Sequence, residues 1–556
     1  MKRSLVLLAA MLVIAHPIIA QGRGGGGRGG RGGGATVAPA NNSWPLTADS
    51  ASYIRRTPPT DPGIQRIFAE GFQRSQVMKL AQQLLDSVGP RLTGSLGMES
   101  AQRYLVHTYT SWGIPARIEN YGTWAGWSGG TAHADLLFPR LRSLEVHPMG
   151  WTEGTGGQWL EGDVVIIPES VTSPEAFNAW IPSARGKFVM VSAPRLSCRM
   201  PRQWQEFGSE ESRAANQRDQ AALQQGYSSR MVYANGPNGL STRLQEAGGL
   251  GILSFGWSNY PGINKVFGSP RVVVPNVDVG CEDYGLLFRL AQNNQSPRIR
   301  LLVQAERLGE RPVGNVIARI NGTQLPNEYV LLSAHFDSFT GGSGATDNGT
   351  GSLVMFEAMR ILKAAYPNPK RTIIAGHWNG EEQGLNGSRA FVEDHPEIVA
   401  GLQAGFNQDN GTGRVSSLSP GPFSNARPAL ERYLSAMPSE VTQWIRLGNA
   451  SSSPATGGSD HASFQCLKAP AFGLGALSWD YSSTTWHTMR DTYDKVVPED
   501  LRNNATLVAM LVYLASEDPQ KMPRDLAPMA NDPATDQPRP WPTCARSIRT
   551  SMQSNR

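Results

Sequence analysis

The chain has 556 residues, too many for one core, so two or three domains are expected. Only 17% of residues are charged and 60 are glycine, which points to a folded, turn-rich chain. The net charge of +5 is traceable largely to one Gly/Arg stretch, residues 22–34, so bulk charge gives no case for an acidic partner.

Residues 1–20 read as a secretory signal: Lys2-Arg3 is the charged start, Leu5 to Ile14 the apolar core, and cleavage would follow near Ala20. That predicts a secreted or periplasmic protein. No later run is long and apolar enough for a membrane span. Residues 21–60 form a Gly/Arg-rich and polar linker, read as a flexible spacer. From residue 61 to 149 the pattern is helical and then Gly-rich: Ile64, Ile67, Phe68 and Phe72 share a helix face, as do Val77, Leu80, Leu84 and Val88. A further helix runs from Met98 to Trp112, and Ala134 to Phe138 is strand-like.

The character changes near 150. Residues 150–307 hold many short strands, few long helices and no cluster of catalytic residues, and read as a separate inserted domain. Strands are expected at Asp163–Ile167, Lys187–Val191, Gly249–Ser254, Val272–Val279 and Ile299–Val303, with a helical excursion over 201–230. Residues 308–520 resume an αβ pattern ending in a helix from Glu499 to Ala515, and 521–556 are a Pro-rich tail. The four cysteines have no CxxC spacing. Cys198 with Cys281 and Cys466 with Cys544 is one of three disulfide pairings open to an exported chain.

The chemistry lies between Val330 and Asp409. Apolar runs Val330–Leu332, Thr372–Ala375 and Leu402–Phe406 alternate with helices over 351–364 and 388–399, which predicts a parallel sheet. His335, Glu381, Glu382 and Asp409 follow the ends of these strands, where open α/β sheets bind ligands. With Asp347 in a Gly-rich loop and a later histidine, they could hold two divalent metals, and imidazole with carboxylate suits zinc. Asp347 is the candidate to bridge, since paired metals ~3.5–4 Å apart need a shared carboxylate. Asp337 stands ready to accept the other ring N–H of His335. The later histidine is His487, in Thr485–Thr492, with His461 competing; His377, inside a strand, is expected to pack instead. Glu381 and Glu382 are read as an extended pair pointing opposite ways, one a ligand and one a general base.

The ordered set His335-Phe336-Asp337, Gly344–Gly349, Glu381-Glu382-Gln383-Gly384, Gln408-Asp409 and His487 resembles the M28 family of dizinc exopeptidases. Val88–Ser95 is similar to that family's N-terminal segment, and the insert resembles a protease-associated (PA) domain, as in carboxypeptidase Q-like members. The resemblance covers about 62–515. It implies a mixed, mainly parallel sheet flanked by helices, interrupted by a β-rich PA-like domain. It implies two Zn²⁺, one on His335 and Asp409, one on Glu382 and His487, with Asp347 bridging and Glu381 as general base. Some members carry Tyr before the last ligand; Trp486 stands there, so Trp486 or Tyr481 is the candidate oxyanion or substrate contact. The activity implied is hydrolysis of peptides near their ends, or of dipeptides, through a hydroxide shared by the metals. A homodimer is compatible with this; a nucleic-acid partner is not expected. The competing readings are a receptor-like binding protein on a dead scaffold and a single-zinc acyltransferase of the glutaminyl cyclase type.

Overall fold

The computed structural model describes residues 59–235 and 239–551, so the expected signal segment, residues 1–20, and nearly all of the 21–60 linker lie outside it. The organising element is the strand Leu325–His335, which pairs in parallel with Arg371–Trp378 on one side and Leu402–Gln408 on the other. Ala471–Ala476 extends the parallel set beyond Leu402–Gln408. Arg298–Ile320 closes the other side antiparallel, so the sheet is mixed and mainly parallel.

Alternate side chains of these strands enter different cores, as a two-residue period requires. Val330, Leu332, Ala334, Ile373, Ala375 and Phe406 pack under the helices Thr350–Ala365 and Pro498–Glu517. Tyr329, Leu331, Ile374, Trp378 and Leu402 face the opposite layer, built with Phe391, Ile398 and Phe464. A strand buried on both faces is apolar throughout, which is why it reads as a continuous run in the sequence. Helix Thr350–Ala365 is buried almost all round because it lies between the sheet and Pro498–Glu517. At the N-terminal side, Asp61 caps helix Pro62–Gln73 by accepting from the N–H groups of Gly63 and Ile64 at 2.7 and 3.0 Å. The helix expected up to Val88 changes to π winding after Gln82.

Three features differ from expectation. Residues 116–138 form a single 23-residue strand, not short pieces. It pairs antiparallel with the equally long Arg298–Ile320, and the register slips at four points along the pair. Those slips and the glycines near them break the alternation that would have revealed it. Arg298–Ile320 also runs unbroken through the expected boundary at 307/308. Its first part pairs with Leu160–Ile166 and its last with Arg371–Trp378, so one ribbon joins the insert to the main sheet. The insert itself carries parallel strands Leu160–Ile166, Lys187–Met190, Gly251–Ser254 and Asn276–Val279 over its own apolar clusters. The third is that the helical excursion expected over 201–230 is two helices, Pro201–Phe207 and the 26-residue Glu210–Asn235. Among the residues of the longer helix only Tyr227 and Ala234 are fully buried, so no apolar stripe marks its length in the sequence.

Both disulfides form in the pairing named above, Cys198–Cys281 and Cys466–Cys544. The tail after Glu517 packs back on the catalytic sheet's helices: Arg549 pairs with Glu393 and Asp394, and Thr550 bridges to Thr123.

Candidate metal centre

Strand register brings the first residues together. Ser333 stands level with Asn407, and both chains continue two residues, to His335 and Asp409. On the other side His335 stands level with Trp378, three residues before Glu381. The loop that follows His335 is pinned from afar by Arg91. Its fully buried guanidinium donates to the carbonyls of Phe336 (2.7 Å), Ser343 (2.7 Å) and Gly344 (2.8 Å). Burial lowers its pKa to about 10, which still leaves it a cation at neutral pH. Asp491 sets the next turn: its two carboxylate oxygens accept from the N–H groups of Thr346 and Asp347 at 2.7 and 3.0 Å.

Asp347 is thereby held between two histidines. One oxygen lies 3.3 Å from His335 Nε2 and the other 3.0 Å from His487 Nε2. Asp409 lies 3.2 Å from His335 Nε2, and Glu382 lies 2.9 Å from His487 Nε2. The donor atoms fall into three triads, His335, Asp347, Asp409; Asp347, Glu382, His487; and His335, Glu381, Glu382, with Asp347 common to the first two. His335 Nδ1 sits 3.0 Å from the main-chain carbonyl of Asp337, which fixes the proton there and leaves the Nε2 lone pair aimed at two carboxylates. Such a lone pair and anions repel unless a cation lies between them. Donors about 2.0–2.2 Å from a tetrahedral zinc stand about 3.3–3.6 Å apart, close to the spacings found. Asp347 Oδ2 and Glu382 Oε1 are buried without hydrogen-bond partners, a further mark of acceptors that await a cation. The residues present therefore fit two divalent metals.

Asp337 acts differently from expectation. Its carbonyl, not its carboxylate, meets the His335 ring, the carboxylate being 3.7 Å away. The carboxylate instead accepts from the N–H groups of Glu381 (3.1 Å) and Glu382 (3.3 Å) and from the Thr93 hydroxyl. Glu381 and Glu382 are not an extended pair either. They open a tight turn, with the N–H groups of Gly384 and Leu385 donating to the Glu381 carbonyl at 2.7 and 2.8 Å. Gly380 and Gly384, at φ +81° and +107°, make the reversal possible. The two side chains still divide: Glu382 meets His487, while Glu381 stays near His335 without joining the Asp347 triads.

The charges are crowded. Burial pushes the Glu381 carboxyl well up, aided by Asp409, Glu382 and Asp460. Burial likewise raises Glu382 to about 7, against the pull of His487. Burial opposes a charge on His487, but Glu382 and Asp347 prevail and raise it to about 9. His335 is raised well above its ordinary value by Asp409, Asp337 and Asp347, again against burial. Without metal, protons occupy the place of cations.

His487 has a left-handed backbone, φ +59°, held by its neighbours. Trp486 stacks on its ring at 4.0 Å, and Phe339 and Phe267 pack at 4.8 and 5.1 Å. Phe267 lies far from these in the chain, within residues 150–307. Its neighbour Val266 donates its N–H to the His487 carbonyl at 2.7 Å, and Lys265 lies over the Trp486 ring at 3.8 Å. Tyr481 is half-buried beside the cluster, and its phenol is pushed well up by loss of solvent and by Asp347, Asp409 and Glu382. His461 stays out of the cluster, packed under Gly473 at the start of helix His461–Cys466. His377 packs, paired with the Tyr109 hydroxyl at 2.8 Å. Sequence reading missed Arg91, Asp491 and the Lys265–Phe267 arm. Arg91 and Asp491 stand inside segments already singled out, but their partners are far along the chain.

Residues 315–512 match the model of Peptidase family M28. Carboxypeptidase Q of Pongo abelii is 26% identical over 448 residues, spanning 79% of this chain and 85% of that protein. Human carboxypeptidase Q is 26% identical over 450 residues, with the same coverage of 79% and 85%. Among solved structures, a peptidase M28 precursor from Shewanella amazonensis superposes with a TM-score of 0.59 at 22% identity, covering 84% of this chain and 98% of that one. A zinc aminopeptidase from Bacillus subtilis superposes at 0.50 with 18% identity, over 81% and 97%; at these identities the two structures speak for the fold alone.

Proposed function

The chain carries a peptidase family M28 domain and is carboxypeptidase Q-like, and from that premise we propose that it is a secreted zinc exopeptidase with two metals. It cleaves peptides near their ends, or dipeptides. The observation that carries this reading is Asp347, which lays one oxygen against each of two histidines 3.3 and 3.0 Å away. His335 and Asp409 would hold one Zn²⁺, Glu382 and His487 the other, with Asp347 shared. When bound, the ions supply Lewis acidity, polarising the scissile carbonyl and making an attacking water more acidic.

The protein's own groups do the rest. The Asp337 carbonyl orients the His335 ring, and its carboxylate fixes the Glu381–Glu382 turn by two N–H contacts. Glu381, next to the donors but outside the shared triads, takes the proton of the attacking water and hands it to the leaving amine. Trp486, stacked on His487, and Tyr481, whose carbonyl accepts the Trp486 N–H, are our candidates to meet the substrate carbonyl. All five donors are present, which speaks against a receptor-like dead scaffold, and a shared Asp347 speaks against a single-zinc acyltransferase. Residues 150–307 act as a PA-like domain that supports His487 through Val266 and Phe267 and donates no metal ligand. Two disulfides agree with export to an oxidising compartment. Among the described residues no helix is long and apolar enough to cross a membrane.

Elemental analysis tests the core of this reading. Close to two zinc ions per chain are expected, with peptidase activity lost on chelation and restored by zinc. One ion or none in fully active protein would overturn it.

A further inference from the structure

The turn that carries Glu381 and Glu382 is gripped from two sides. On the metal side, the Asp337 carboxylate accepts the N–H groups of both glutamates. On the other side stands Asn386, 1% exposed and first in helix Asn386–Asp394. Its main-chain N–H donates to the Gly380 carbonyl at 2.9 Å and its Nδ2 to the Gln383 carbonyl at 3.2 Å, so one residue spans the turn. Its side-chain oxygen accepts the main-chain N–H of Ile548 at 2.9 Å. Ile548 lies 162 residues further on, in the tail.

The neighbours of Ile548 fasten that segment. Ser547 donates its N–H and its hydroxyl to Glu393 at 2.9 and 2.7 Å, and the Arg549 guanidinium meets both Glu393 and Asp394. The Arg549 carbonyl accepts the Thr123 N–H at 2.8 Å, and its guanidinium donates to the Tyr121 carbonyl at 3.3 Å. Tyr121 in turn donates its hydroxyl to the Asn379 carbonyl at 2.9 Å, next to Gly380. A Cβ on Gly122 would stand 2.0 Å from the Arg549 carbonyl oxygen, so this glycine lets the tail lie directly on the ribbon. Earlier in the tail, the Cys466–Cys544 disulfide and the Trp541 indole, which donates to the Cys466 carbonyl at 2.8 Å, tie it to helix His461–Cys466. The tail thus reaches both ends of the turn, through Asn386 and through Tyr121.

The two glutamates depend on this grip differently. Glu382 meets His487 and has a metal to fix it. The Glu381 carboxylate accepts no hydrogen bond among the described residues, so its place is set by the main chain of the turn. A general base works only within hydrogen-bond reach of the proton it takes, and a displacement of about 1 Å can cost about 100-fold in rate. We propose that the tail is a positioning strap for Glu381, with Ile548 and Asn386 as positioning residues that hold the turn for proton transfer. This rests on the exopeptidase reading above, in which Glu381 is the base.

The test measures zinc content, kcat and KM on dipeptides, their N-acetyl forms and their C-terminal amides for wild type, Ile548→Pro, Ile548→Ala, Asn386→Ala and the Ile548→Pro/Asn386→Ala double variant. Circular dichroism confirms folding. Ile548→Pro removes the N–H that Asn386 accepts. It should lower kcat roughly 10–100-fold with zinc content and KM close to wild type. Its solvent deuterium isotope effect should rise, because a misplaced base makes proton transfer limiting. Ile548→Ala keeps the N–H and should recover most of kcat. Asn386→Ala should lose at least as much as Ile548→Pro, and the double variant should fall no further, as expected of two residues on one route. Hydrogen exchange gives a readout that needs no turnover: the amides of Gly384, Leu385 and Asn386 should exchange faster in Ile548→Pro than in Ile548→Ala. Wild-type kcat in Ile548→Pro, an equal loss in Ile548→Ala, kcat lost only in step with zinc, additive losses in the double variant, or unchanged exchange would overturn the proposal. If zinc-loaded wild type cleaves none of the panel, the exopeptidase reading fails, and the exchange rates still decide whether the strap holds the turn.

Discussion

Glu381 and Glu382 are adjacent carboxylates with different neighbours, and that difference predicts different losses. Glu382 meets His487 at 2.9 Å, so Glu382→Ala should lower zinc content together with turnover. Glu381→Gln should keep both metals and the fold and lose about 10²–10⁴-fold in kcat. Its residual rate should also lose the acidic limb of the pH profile, because activity that waits on Glu381 losing a proton rises with pH. Zinc analysis beside kcat decides the assignment; metal loss in Glu381→Gln with full occupancy in Glu382→Ala would reverse it. Asp491 touches no donor atom of its own, yet it holds the N–H groups of Thr346 and Asp347. Asp491→Ala should weaken metal binding about 10–100-fold by freeing the shared carboxylate. Competition with a chelator of known affinity measures this, and unchanged affinity would reduce Asp491 to a loop residue. At this scale the sequence exposed residue types and spacing. It did not expose Asp337 acting through its carbonyl, because atom-level roles follow the path of the loop. The turn at Glu381 was signalled by the flanking Gly380 and Gly384, a pattern that marks a reversal more strongly than an extended pair.

Among elements, the strands Leu325–His335, Arg371–Trp378 and Leu402–Gln408 were legible because burial on both faces leaves continuous apolar runs. The 23-residue ribbon Ala116–Phe138 was not, since its bulges break the two-residue period. Nor could periodicity show that the segment Lys265–Phe267 reaches the candidate metal centre. Phe267 packs 5.1 Å from the His487 ring, and Val266 holds the carbonyl of the same residue. His487 is thereby kept at φ +59°, a conformation a histidine leaves readily without support. Phe267→Ala should lower occupancy of the metal held by His487 and leave the bulk fold intact. Zinc content near one per chain with an unchanged far-ultraviolet spectrum is the expected result; two firmly held ions would mean the arm only covers the site.

In the whole molecule, the clustered donors tie stability to metal and pH. His487 is raised to about 9 in the metal-free fold, against an ordinary value of about 6.5, and His335 is raised as well. Groups raised in this way stabilise the fold fully below about 6.5, and that contribution is lost as pH climbs through about 9. Glu382 and Asp460, each raised to about 7 by burial, lose stability in the same direction over about pH 4–7. Asp347 is held low by His335 and His487 against burial, so it acts oppositely, but only in the acid range below about 4. The chelated protein should therefore melt at progressively lower temperature from about pH 5 to pH 9, while zinc-loaded protein should hold its Tm, metal affinity itself growing as donors shed protons. A chelated protein as stable at about pH 9 as at about pH 6 would contradict this. What the sequence determined by itself is the donor chemistry and its order: a histidine or carboxylate at each strand end, with apolar runs that must form a buried parallel sheet. Those follow from local composition and period. Only the tertiary structure decided which oxygen of Asp347 faces which histidine, that Arg91 and Asp491 hold the loop between them, and that the tail meets Asn386 beside the Glu381 turn. Each of these depends on register and on contacts between residues far apart in the chain, which no local pattern encodes.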